Sequence, residues 1–279
     1  MKRLIPVVFC LFGGIAQAIS VTPDGAAAAL AAAITGGTGL TITSLTIGGH
    51  GAGATASWGT YSNLSGTYSI GPGIVISSGK AGDYSDGPNT TGSKSTGYGV
   101  AATAAQAAVL AGISGAASYF DVTEIDIVFD LDATHDKVFF NVTCGSDEYA
   151  EFVGTTFKDA FGLLVNGVNV AYACTPLQPV NVDNTCMAPI PGTELDGVLA
   201  PGGLPVVTFG TTVGFGTIGN TLKFIIADRS DSIYDSTAYI SALGGTPTAP
   251  VPEPASLLLL GSALSLAAYT SRKRLARRG

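Results

Sequence analysis

The sequence predicts a mainly β fold: an antiparallel β-sandwich or jelly-roll-like domain with one or two short Ala-rich helices, followed by a C-terminal transmembrane helix. Three observations predict it. Short runs in which apolar residues alternate with Ser, Thr or charged residues recur along the chain, and a period of two marks half-buried strands. Turn formers separate these runs, with 38 Gly and 14 Pro among 279 residues. Only two stretches read as helix, and both are rich in alanine.

The elements follow in order. Thr22-Pro23-Asp24 reads as a helix N-cap with proline in the first turn, the Ala-rich run to Ile34 as the helix, and Gly36-Gly37 as its stop. Leu40–Ile47 (LTITSLTI) alternates as a strand should, and Tyr68–Ile70 and Gly73–Ser77 read as short strands among glycines. Residues 78–98, rich in Gly, Ser, Asp and Asn, read as a long exposed loop, and residues 100–111 as a second helix. Val122–Phe129 and Lys137–Val142 form two strands about a turn at 130–136. The clearest hairpin joins Ala160–Val165 to Val168–Tyr172 through Asn166-Gly167, because both central residues of a type I′ turn need positive φ. Further strands are expected at 206–209, 222–227 and 237–242. Residues 19–245 thus form one β domain.

The two ends read differently. Lys2 and Arg3 precede an apolar run that closes on Ala16-Gln17-Ala18, a signal peptide over residues 1–18 with cleavage after Ala18. At the other end, residues 246–254 form a Pro-rich linker that contains Pro252-Glu253-Pro254. Residues 255–270 form an apolar span, and residues 271–279 carry Arg272, Lys273, Arg274, Arg277 and Arg278. The basic end stays cytoplasmic, so the preceding domain lies outside the inner membrane. The span is short against the ~20 residues a membrane helix usually needs, which suits a transient anchor.

With both ends removed, residues 19–250 hold six basic and nineteen acidic residues, a net charge of −13. Nucleic acid and anionic lipid are excluded as partners, because each needs basic contacts. Divalent cations remain compatible. Cys10 leaves with the signal peptide, so Cys144, Cys174 and Cys186 remain in an oxidising compartment. The best pairing is Cys174–Cys186 across the loop TPLQPVNVDNT, leaving Cys144 as a buried or free thiol. The absence of Cys-x-x-Cys argues against zinc or thiol-redox chemistry.

Pro-Glu-Pro, a short apolar helix and an Arg-rich end, in that order, resemble the PEP-CTERM sorting signal of Gram-negative bacteria. That resemblance implies an exosortase as processing partner and export to the periplasm, cell surface or extracellular matrix. It also implies a link to exopolysaccharide, or to other surface proteins, in a biofilm setting. Within the domain, Gly73-Ile-Val-Ile-Ser-Ser-Gly79 is the first of three telling segments. The second is Cys144-Gly-Ser-Asp147-Glu148-Tyr149-Ala-Glu151-Phe152 with Phe157-Lys-Asp159-Ala-Phe161-Gly162, and the third is Ile226-Ala-Asp228-Arg-Ser-Asp231-Ser-Ile-Tyr234-Asp235-Ser236. Together they resemble the choice-of-anchor L domain from about Val21 to Leu243. Cys144, Asp147 and Lys158 depart from the residues common in that family. The resemblance implies a surface module and carries no established ligand or activity.

Asp147, Glu148, Asp159, Asp228, Asp231 and Asp235 are the candidate site residues. If their two segments meet, like charges repel unless protons or a cation neutralise them, and calcium is the natural hard ion outside cells. The alternative is a network of turns in which these side chains bond local backbone amides, or in which Glu148 or Asp159 pairs with Arg229. Paired carboxylates also raise a secreted carbohydrate-active hydrolase as an alternative function. Trp58, Tyr61, Tyr84 and Tyr98 are its candidate sugar-stacking residues. His50 and His135 read as exposed loop residues, and neither makes a nucleophilic triad with the many serines. The leading reading is a non-catalytic binding or structural module.

Overall fold

The computed structural model describes residues 19–87 and 89–247 of the 279-residue chain. The expected signal peptide with Ala16 and Ala18, the Pro252-Glu253-Pro254 segment, the span 255–270 and the tail 271–279 lie outside the described residues. Among the described residues no helix is long and apolar enough to cross a membrane.

In chain order the elements are β1 (Ile19–Pro23), α1 (Ala27–Ile34), β2 (Leu40–Gly48), β3 (Trp58–Asn63), β4 (Gly73–Ser77), α2 (Ala104–Ser114), β5 (Tyr119–Leu131) and β6 (Lys137–Ser146). They continue as β7 (Ala160–Val165), β8 (Val168–Asn169), β9 (Tyr172–Ala173), β10 (Gln178–Pro179), β11 (Met187–Ala188) and β12 (Gly197–Leu199). β13 (Val207–Thr212), β14 (Asn220–Arg229) and β15 (Ser236–Thr246) complete the set. One sheet runs β1-β3-β4-β15-β6-β12-β11, with β13 also on β6. The other runs β2-β5-β14-β7-β8, and β9 and β10 form a separate ribbon. Every strand pair is antiparallel.

The two sheets close over one core. β5 turns Ile125, Ile127 and Phe129 inward, while Glu124 and Asp126 on its outer face bond Lys223 Nζ at 2.7 and 2.9 Å. β6 contributes Val138, Phe140 and Val142, and β14 contributes Leu222, Phe224 and Ile226. Phe140 of the first sheet meets Phe224 of the second edge to face at 5.7 Å. This is the alternation that the sequence displays, now with both apolar faces turned together. Helix α1 adds Leu30 and Ile34 to the same core. Helix α2 lies on the outer face of the second sheet, where Leu110 and Ile113 cover Ile225 and Ala227. Its start at Ala104 is set by a capping box, in which the Thr103 hydroxyl accepts from Gln106 N and Gln106 Oε1 accepts from Thr103 N.

Several boundaries differ from expectation. Thr22-Pro23 ends strand β1 instead of opening a helix, because residues 19–23 find a partner in β3 with Pro23 opposite Gly59. An edge strand tolerates proline, whose missing N–H costs no ladder bond on the open side. Asp24 is no N-cap; it takes φ 62° and its carboxylate accepts from Gly53 N at 2.7 Å. Residues Thr67–Ser69 form a 3-10 turn where a short strand was expected. The Asn166-Gly167 hairpin has φ of 49° and 80°, as a type I′ turn demands. Cys174 and Cys186 are bonded with Cα atoms 6.1 Å apart, and Cys144 is a buried free thiol whose ionisation burial suppresses.

Candidate functional site: a buried carboxylate cluster

The three segments singled out in the sequence meet at one end of the sandwich. β15 lies between β4 and β6, so Ser236 stands opposite Ser146 and Thr237 opposite Ser77. β14 pairs with β7 so that Ala227 faces Ala160, which brings Asp228 and Asp159, the next residues outward, to the same end of the sheet. Asp147 N donates to Asp235 O at 3.1 Å, tying the second segment to the third. The first segment closes the knot: Ser77 Oγ donates to Ser236 O, and Ser236 N donates to Ser78 Oγ. Strand pairing therefore does what no local spacing announces. It gathers acids that are up to 88 positions apart in the chain.

Asp147, Glu148, Asp159, Asp228 and Asp235 are all buried, and Asp231 is half-buried. Three of the buried five are held by hydrogen bonds. Asp147 accepts from the Tyr84 hydroxyl at 3.0 Å and from Asp196 N at 3.3 Å. Asp159 accepts from Arg229 N at 3.0 Å and Ser236 Oγ at 2.8 Å. Asp235 accepts from Thr96 N at 3.0–3.1 Å. Glu148 and Asp228 differ: none of their four carboxylate oxygens has a hydrogen-bond partner, and neither has Asp231 Oδ1. The Ser78 hydroxyl lies near enough to Asp228 to favour its charged form, though outside hydrogen-bonding geometry.

Basic side chains are engaged elsewhere. The Arg229 guanidinium donates to Thr156 O, so the expected pairing of Arg229 with Glu148 or Asp159 is replaced by a backbone contact to Asp159. Lys158 pairs with Asp183 at 2.8 Å. At Asp235 the hydrogen bond from Thr96 N and the charge of Lys80 oppose the rise that burial causes. Burial, reinforced by neighbouring carboxylates, consequently raises these acids. Asp235 is pushed up to about 7, Asp147 to about 8 and Glu148 to about 9. Asp159 and Asp228 lie well above the usual carboxylate range, first from burial, then from Asp235 and Asp231 for Asp159 and from Asp159 and Asp235 for Asp228. Among the described residues no group of three or more His, Cys, Asp and Glu side chains is arranged so that it could hold a metal ion as it stands.

Sequence reasoning did not single out Asp121 and missed the parts that Tyr84 and Gly79 play in the cluster. The loop 78–98 is not simply exposed: Tyr84 is fully buried, and Thr96 N reaches Asp235. Asp121, buried at φ 52°, gathers Tyr98 N, Gly99 N and Val100 N on its carboxylate. Gly79 ends the first segment because a Cβ there would stand 1.6 Å from Asp235 Oδ2. Gly79→Ala is expected to cost about 2 kcal/mol by overpacking, read as a lower urea midpoint at unchanged slope. An unaltered midpoint would mean that Asp235 moves aside freely.

Of the expected stacking aromatics, Tyr61 and Tyr84 are corrected by their burial. Tyr61 and Tyr84 are inside, the former with its hydroxyl on Gly71 O at 2.7 Å, and cannot face a sugar. Trp58 is half-buried with its indole N–H on Gly25 O, and the Tyr98 hydroxyl donates to Thr55 O at 2.6 Å. His50 and His135 are both half-buried; His50 lies 5.3 Å from the Tyr98 ring, and His135 bonds Asp132 at 2.7 Å.

Comparisons with known proteins cover the first two of the three segments that build this cluster. No curated protein matches the sequence. A solved structure of TmCBM61 in complex with β-1,4-galactotriose aligns with 47% of this chain and 70% of that chain, at 10% identity and a TM-score of 0.20, too low to carry an argument. The PEP-CTERM protein-sorting motif matches residues 250–274, which implies export to the bacterial cell envelope and processing by exosortase. The choice-of-anchor L domain matches residues 20–196, ending before the third acidic segment that strand β15 folds back into the cluster. By that match over more than half its length, the chain belongs to the choice-of-anchor L domain family.

Proposed function

We propose that the chain delivers a non-catalytic β-sandwich to the cell surface or extracellular matrix, where it binds exopolysaccharide or neighbouring surface proteins. In this reading residues 1–18 are removed on export. The linker 246–254 holds the domain off the membrane, the span 255–270 pauses it there, and exosortase cuts near Pro252-Glu253-Pro254. The observation that carries the reading is where the acids lie. A glycosidase needs an acid and a base or nucleophile open to the scissile bond, whereas here five of the six clustered carboxylates are buried and only Asp231 is half-buried. Two open grooves support it further. One of about 200 Å³ is lined by His50, Thr103 and Gln106, and another of about 410 Å³ by Leu164, Asn169 and Tyr172; neither lining includes an Asp or Glu.

The test uses the protein recovered from the surface of exosortase-bearing cells. Replacing Pro252-Glu253-Pro254 by alanines is expected to leave an uncleaved form in the inner membrane, seen as a larger band by immunoblot. The wild-type product, incubated with the cells' own exopolysaccharide, is expected to sediment with it and release no reducing ends. Sugar release abolished by Glu148→Gln would establish the hydrolase instead.

A further inference from the structure

Glu148 and Asp228 stand apart from the other clustered acids. Each is 0% exposed, and all their carboxylate oxygens lack a hydrogen-bond donor. An ionised carboxylate left in that condition costs several kcal/mol, against a total stability of about 5–15 kcal/mol for a typical domain. The fold supplies no ion pair to either: Arg229 and Lys158 are bonded elsewhere. Protons or a cation must neutralise them, and on a surface protein either comes from the medium.

We propose that a divalent, oxygen-seeking cation, calcium in an extracellular setting, binds at Asp159 with Glu148 and Asp228 as its flanking carboxylates and Asp231 at its outer mouth. Asp159 is the member whose charge is felt by both Glu148 and Asp228, and Asp231 in turn acts on Glu148 and Asp159. The arrangement has an entrance. Asp231 is half-buried. Among the described residues no three such side chains are arranged to hold a metal ion as they stand, so binding must draw side chains inward. Glu148 and Asp228 move without breaking a hydrogen bond, whereas Asp147 and Asp235 are tethered by Tyr84, Asp196 and Thr96. Calcium takes six to eight oxygens in flexible geometry, so carbonyls and water complete its shell; magnesium, with its strict octahedron, fits such a site less well. The site is independent of what the displayed domain binds.

The experiment uses surface-recovered protein treated with EDTA, then titrated with calcium chloride or magnesium chloride alone while its melting temperature is followed. Millimolar calcium is expected to raise the Tm by about 5 °C or more, as a ligand specific to the folded state does, with a smaller effect from magnesium. Glu148→Gln and Asp228→Asn should each abolish the calcium rise yet melt no lower than wild type in EDTA, since each replaces a buried carboxyl group that has no hydrogen-bond partner. Glu124→Gln, whose carboxylate pairs with Lys223 on the outer face of the second sheet, should keep the rise. A Tm indifferent to calcium overturns the proposal, as does a rise that survives both Glu148→Gln and Asp228→Asn. If Asp228→Asn does not fold, Glu148→Gln decides alone. Cleavage of the sorting motif and sedimentation with exopolysaccharide are measured separately, so either reading can fail without the other.

Discussion

Phe140→Ala is expected to destabilise the domain by about 4 kcal/mol, the range for removing a buried aromatic side chain from a core. Phe140 is fully buried and lies where the sheets meet, with Phe224 at 5.7 Å across the interface and Phe209 at 6.4 Å on its own sheet. Its loss removes dispersion contacts on both sides at once, and strands β6 and β14 are too constrained by their neighbours to collapse into the space. For a domain of this size that corresponds to a fall in Tm of about 10 °C or more. Phe215→Ala supplies the contrast: its ring is 58% exposed, and the change should stay within about 0.5 kcal/mol. Thermal melts of the two variants under one buffer check the prediction. Equal small effects would mean that the sheets pack elsewhere.

The second large effect is on pH dependence. In EDTA the domain should lose stability as pH rises from about 5 to about 8, the reverse of ordinary acid denaturation. Asp147 and Asp235 have folded values of about 8 and 7, raised chiefly by burial, against about 3.9 in an unfolded chain. The folded state therefore binds protons more tightly than the unfolded state. Its stabilisation is full below the unfolded value and is lost as pH climbs toward the folded one. Acids held in the opposite sense, such as Asp132, lowered to about 2 by His135 and Thr134, matter only below that window. The expected fall in Tm across it is about 10 °C. A Tm in EDTA that is level or rises from pH 5 to 8 would show that these carboxylates ionise freely in the fold.

Much of the fold is legible locally. Leu40–Ile47, Val122–Phe129 and Ala160–Tyr172 carry their own period and turn chemistry, and each stands as a strand or hairpin where the pattern places it. Errors arise where a distant partner overrides local preference. Thr22-Pro23-Asp24 has the chemistry of a helix start, yet β3 recruits it as an edge strand. Tyr84 sits in a glycine- and serine-rich stretch that reads as solvent-exposed, yet its ring is buried because Asp147 and the Asp235 carbonyl accept its hydroxyl. β14 and β15 extend beyond their alternating cores, to Arg229 and Thr246, because β5 and β6 continue to offer hydrogen bonds there.

The sequence by itself determined the class of fold, the acidic charge of the domain, the membership in a surface-protein family and the sorting motif at the C-terminus. These are properties of composition, period and short contiguous patterns, which need no partner to be read. Only the tertiary structure decided that Asp147, Glu148 and Asp159 share one buried site with Asp228 and Asp235, and which of them lack hydrogen bonds. That outcome depends on the register of β15 against β4 and β6 and of β14 against β7. A one-residue slip in any of these pairings would turn the acids to the opposite face, and no local pattern in the chain fixes that choice.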